Sequence, residues 1–257
     1  MSLFKAVARV SVLTLVCGLV AVQGAHAQVI TPPAGPPPTP RHTGVKAMFK
    51  DLVEDVKHLP SKENLFWVGV GSGLAAAVHP IDDNTNEAWV GNQAVENFFK
   101  PGRIMGSFPV VFGSAVTTYI VGRTTDKPRV SHLGMDLIEA IAVSEAMVQP
   151  LKYITQRERP DHSSKNSFPS GHAADTFAFA TALERHLGWK GAVPAYIFSS
   201  YVAISRVPAN RHWLSDAVFG ASVGIIAGRT VTRHGSKFPV TVTGAPGGGF
   251  AVMYVKQ

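Results

Sequence analysis

Between Lys152 and Asp216 the sequence gathers three short clusters of reactive side chains. They are Lys152 followed by Arg159-Pro160, then Pro169-Ser170-Gly171-His172, then Ser205-Arg206 followed by His212 and Asp216. Fixed cations, a glycine turn, two histidines and a carboxylate come close to the minimum needed to cleave a phosphate ester without a metal. Lysine offers a phosphate a point charge and arginine a bidentate fork. Lys152 and Arg159 are spaced by two turns of a continuous helix, so one helical face is expected to carry both. Taken alone they suit a solvated basic face equally well, because Arg157 and Glu158 adjoin them. Ser170 and Gly171 lead into a helical pattern, where unpaired N–H groups and partial positive charge receive anions and glycine permits close approach. A plain N-cap at Ser170 is compatible with that role. His212 and Asp216 are four apart at a helix start, which sets a carboxylate one turn from an imidazole that it can hold in a single tautomer. The competing uses are a structural histidine, or a metal held through the His172/Asp175 and His212/Asp216 spacings. Three converging cations would repel a divalent ion, so no metal and no other cofactor is expected here.

The order and spacing of the clusters resemble the three-part signature of the type 2 phosphatidic acid phosphatase superfamily, which also holds vanadium haloperoxidases and bacterial non-specific acid phosphatases. The resemblance is close from Lys152 to Asp216 and elsewhere extends only to apolar helical character. It implies an all-α fold, a single helical bundle, and a phosphoric monoester hydrolase working through a phosphohistidine. On that resemblance His212 attacks phosphorus, Asp216 orients it, and His172 protonates the leaving oxygen and then serves as base for water. Lys152, Arg159, Ser170, Gly171 and Arg206 would hold the non-bridging oxygens. Two other uses of such a pocket stay open. One is a vanadate-dependent haloperoxidase, for which the brief Pro160–Pro169 interval leaves little room for a pocket insertion. The other is an inactive anion-binding envelope protein, against which the intact His172, His212 and Asp216 stand. Lipid phosphates, isoprenoid pyrophosphates and soluble esters are equally open as substrates.

The elements that must position these residues are apolar. The chain has 257 residues, 46% of them hydrophobic, and a mean hydropathy of +0.13. Residues 1–27 read as a secretory signal, with Lys5 and Arg9, an apolar run from Val10 to Val22 and Ala25-His26-Ala27 before Gln28. An uncleaved anchor is the rival reading. A periplasmic location follows from the first, membrane anchoring from the second. The single cysteine, Cys17, lies inside that segment, which excludes disulfides and thiol chemistry from the mature chain. Removing Lys5 and Arg9 leaves 22 basic against 17 acidic residues, a net +5 suited to phosphates or acidic headgroups and too scattered for nucleic acid.

Residues 28–42 are proline-rich and read as an extended tether, with the helical phosphatase domain at 43–236. Val45, Met48, Phe49, Leu52, Val53 and Val56 form an amphipathic helix whose mixed-sign polar face favours packing on the bundle. Leu65 to Val78 is a Gly- and Ala-rich helix stopped near His79-Pro80. Asp82 to Asn86 departs from a calcium loop and reads as a solvated turn. Ile104 to Gly122 is long enough to span a bilayer, but a buried helix is the favoured reading. Met135 to Tyr153, Ala173 to Leu187, Ala192 to Ser205 and Leu214 to Thr232 complete the helices. The alternation in 237–257 suggests a hairpin.

Overall fold

The computed structural model describes residues 43–233 and the backbone of 240–244 and 250–254. The signal segment and the proline-rich tether lie outside the described residues. The helices are α1 (Val45–Lys57), α2 (Lys62–Val78), α3 (Asp82–Trp89), α4 (Gln93–Met105), α5 (Phe108–Thr124), α6 (Pro128–Thr155), α7 (Gly171–Leu187), α8 (Trp189–Ser205) and α9 (Leu214–Val231), with a 3-10 turn at His79–Ile81. Strand β1 (Val240–Gly244) pairs antiparallel with β2 (Phe250–Tyr254). The fold class rests on the helices.

The organising helix is α9, in which every residue except Arg229 is buried. It packs most extensively on α7 and also on α2 and α6; α6 in turn packs on α5 and α7. Its glycines permit this. A Cβ at Gly220 would lie 2.5 Å from the Ser170 carbonyl oxygen, and one at Gly224 would lie 2.2 Å from that of Ala174. The backbones of α7 and α9 therefore touch, as small residues at four-residue spacing allow, and Ser170 N–H donates to the Asp216 carbonyl at 3.0 Å. Helices α6 and α7 run antiparallel: Ser144 donates to Asp175 midway, and Thr155 donates to the Phe168 carbonyl at one end.

Several expectations are corrected. The apolar stripe of α1 packs on the bundle only in part: Leu52 lies against the core and Met48 is half-buried, but Val45, Phe49, Val53 and Val56 are exposed, while Asp55 is fully buried. Ile104 to Gly122 is not one buried helix. It breaks at Gly106-Ser107 into α4 and α5, bent by 43°, and Ile104, Phe108, Val110 and Ile120 are exposed. Asp82 to Asn86 is no solvated turn but the start of α3, with Asp82 buried. The continuous helix expected to carry both Lys152 and Arg159 ends at Thr155, where Gln156 turns left-handed at φ 43°. The first two corrections share a physical reason. Binary patterning reads apolar as inward, whereas here part of each apolar stripe faces outward, which for the nearly uncharged α5 suits lipid surroundings. By length and composition α2 with its extension to Trp89, and α9, are each able to cross a membrane, as is the bent α4–α5 pair counted as one span.

Candidate active site

The loop between α6 and α7, the start of α7 and the start of α9 meet at one end of the bundle. Lys152, in the last turn of α6, donates to the Asn166 carbonyl at 2.7 Å. Ser170 is fully buried at the N-cap of α7 and accepts from Ala173 N–H at 3.5 Å, and Gly171 opens the helix beside it. Arg206 follows α8 and is buried. His212 and Asp216 are buried at the start of α9.

Convergence of these groups is seen in their electrostatics. Burial lowers the His172 imidazole to about 3, helped by the charges of Arg206, Lys152 and Arg159. His212 is also lowered, first by burial and then by Lys152 and Arg206, with Arg159 contributing. Burial and Arg159 bring the Lys152 ammonium down to about 8. Burial with Arg159, Arg103 and Arg211 brings Arg206 to about 10. The same three cations, Lys152, Arg159 and Arg206, therefore act on both rings, so these five side chains share one electropositive region. In that field both imidazoles are neutral.

The tautomer of His212 follows from its partner. Its Nδ1 lies 2.6 Å from the Ser167 carbonyl oxygen. A carbonyl only accepts, so Nδ1 carries the proton and Nε2 keeps its lone pair. The spacing argument gave this role to Asp216, but Asp216 Oδ2 stands 3.9 Å from Nδ1, beyond a hydrogen bond. The carboxylate acts one step back: it accepts from the Ser167 hydroxyl and from Trp213 N–H at 2.9 Å. It thus fixes the loop whose carbonyl fixes the ring.

Sequence reasoning missed Arg157, Asp82 and Ser215. Arg157 Nη1 donates to Asp216 Oδ1 at 2.6 Å and to Ser215 Oγ at 2.7 Å, and its Nη2 donates to Asp82 Oδ2 at 2.8 Å. Asp82 also accepts from the Ser215 backbone N–H at 2.9 Å. A buried carboxylate pair is thus bridged by one guanidinium. The motif-flanking Arg157 looked like part of a solvated face, and nothing local in the sequence ties Asp82 to Ser215, 133 positions away.

The family model for the PAP2 superfamily matches residues 133–238. A lipid A 1-phosphatase of Porphyromonas gingivalis is 43% identical over 91 residues, covering 34% of this chain and 20% of that protein. A decaprenylphosphoryl-5-phosphoribose phosphatase of Mycobacterium tuberculosis is 31% identical over 102 residues, covering 36% of this chain and 56% of that protein. The chain thus spans from a fifth to just over half of the length of these curated relatives. The crystal structure of a transmembrane PAP2 type phosphatidylglycerolphosphate phosphatase from Bacillus subtilis superposes with a TM-score of 0.51 at 21% identity, covering 72% of this chain and 92% of that one, and bears on the fold alone. The matched segment encloses the convergent cations and imidazoles, and over residues 133–238 this chain is similar to the PAP2 superfamily.

Proposed function

We propose that the chain is a metal-independent phosphatase that removes a terminal phosphate from a membrane lipid through a phosphohistidine. The observation that carries the reading is the pair of imidazoles, half-buried His172 and buried His212, held neutral under the field of the same three cations. His212 Nε2 attacks phosphorus, the bond to the leaving oxygen breaks, and His172 gives that oxygen its proton. Water then attacks the phosphorus of the phosphohistidine, His172 accepts the water proton, and the P–N bond breaks to release inorganic phosphate. Lys152, Arg159, Arg206, the Ser170 hydroxyl and the Gly171 amide hold the non-bridging oxygens and stabilise the charge that builds on them. His172 cannot hold a proton in the free site, but a bound phosphate dianion offsets the cations and raises its affinity for one. The acid is therefore armed by the substrate.

A lipid substrate is favoured by the outward apolar surface of α2, α4 and α5, where Leu65, Phe66, Phe98, Ile104, Met105 and Phe108 are exposed. The two curated relatives are named for lipid-linked phosphates. The segment 1–27 suits export, which would set the pocket on the periplasmic side of a membrane-anchored protein. The test compares lipid phosphates in mixed micelles with soluble esters, reading phosphate release. Turnover on lipid, its loss in His212→Ala, and acid-labile 32P on the wild type support the reading. Turnover that survives in His212→Ala overturns it.

A further inference from the structure

Far from the phosphate pocket, the bundle buries a second set of ionisable side chains. His132, Asp136 and Glu139 lie at i, i+4 and i+7 on α6, a single helical face. All three are buried. His186, near the end of α7, completes the approach: its Nε2 is 2.8 Å from Asp136 Oδ2, while His132 Nε2 is 3.3 Å from Asp136 Oδ1. The donor atoms of His132, Asp136 and His186 all lie within 4.8 Å of one another.

Two further carboxylates are buried nearby, Glu139 one turn along α6 from Asp136 and Asp55 on α1, which packs on α6. Asp55 is 0% and Glu139 1% exposed, and all four of their oxygens lack a hydrogen-bond partner among the described residues. Helix α1 exposes four large apolar side chains while turning Asp55 inward. Buried carboxylates without hydrogen bonds are costly, and a cation coordinated by them would offset that cost.

We propose that His132, Asp136 and His186, with Glu139 or Asp55 as fourth ligand, form a binding site for a divalent transition ion of the zinc type, tying α1 to α6 and α7. Two neutral imidazoles, two carboxylates and a divalent cation sum to zero charge, the state least costly to bury. Nitrogen and oxygen donors from four side chains match the preferred shell of zinc. Binding would draw the His186 and His132 nitrogens from their contacts with Asp136 onto the metal. The site is structural and separate from phosphate cleavage. From Asp136 to Lys152 along α6 is about 24 Å at the helical rise per residue, and His186 and His172 likewise sit at opposite ends of α7.

The test uses the full chain in detergent, stripped with a chelator and then titrated with Co2+ and with Zn2+. One Co2+ per chain with the intense visible bands of a four-coordinate ion, displaced by Zn2+, is expected. Affinity should fall at least about tenfold in His186→Gln and stay unchanged in His212→Ala, which excludes the phosphate site as the locus. Failure of the wild-type chain to take up either ion overturns the proposal without reliance on any variant. So does equal binding by His186→Gln, or loss of binding in His212→Ala.

Discussion

Arg157 gives the sharpest test of how the pocket is held. Its guanidinium is the shared donor to Asp216 and Asp82, which are 0% and 3% exposed. Truncation to alanine takes the bridging cation from two buried carboxylates at once, leaving them only their neutral donors and His79. Removing one partner of a buried pair costs about 3–5 kcal/mol, and the low end applies because Arg157 is itself 24% exposed. About 3 kcal/mol corresponds to a fall of about 6–12 °C in melting temperature for a chain of this size. The catalytic loss arises differently. Asp216 without Arg157 is freer to move, the Ser167 hydroxyl and carbonyl move with it, and His212 loses its fixed aim. A displacement of about 1 Å at a reacting group is worth about 100-fold in rate. The assay is steady-state phosphate release in detergent together with a thermal melt. Arg157→Ala should lose kcat by about 10- to 100-fold with a smaller change in KM, because the phosphate-holding cations remain. Arg157→Lys, which keeps charge and one donor, should recover part of both losses. A variant that melts within a degree or two of wild type and keeps most of its kcat would refute the bridge.

Other outcomes follow from the same geometry. Because Lys152 loses its proton near pH 8, kcat/KM should fall as pH rises through about 8, and Lys152→Arg, which stays charged, should move that limb upward in a pH–rate profile. Gly220→Ala presses a methyl onto the Ser170 carbonyl and should cost about 1–3 kcal/mol with a marked loss of kcat. Gly228→Ala, which meets Thr181 at the far end of α7, should destabilise comparably in a melt while sparing kcat. Ser167→Ala removes the hydroxyl bond to Asp216 but keeps the carbonyl bond to His212, so its rate should fall less than that of Arg157→Ala. Asp82→Asn should lower the melting temperature and leave KM near wild type, since Asp82 supports Asp216 without facing the phosphate.

The sequence by itself determined the types of the reactive residues, their order along the chain and the helical character of α2 and α6 to α9. These are local properties: a Ser-Gly pair at a helix start, a histidine and a carboxylate one turn apart, an apolar periodicity. It also placed Lys152 and Arg159 together, although the continuous helix invoked for them ends at Thr155 and the loop brings Arg159 back. Only tertiary structure decided what holds those residues. The Nδ1 partner of His212 is a backbone carbonyl 45 positions away. Asp216 is bridged through Arg157 to Asp82 on a helix that reads as a polar turn. Asp136 and His186 meet from two helices, 50 positions apart. A backbone carbonyl has no letter in a sequence, and residues with wide separations meet only once the helices have packed. The exposed part of the α1 stripe and the outward face of α5 escape the sequence for a related reason: residue periodicity shows that a helix has two faces, and only the packed bundle tells which side chains are inside.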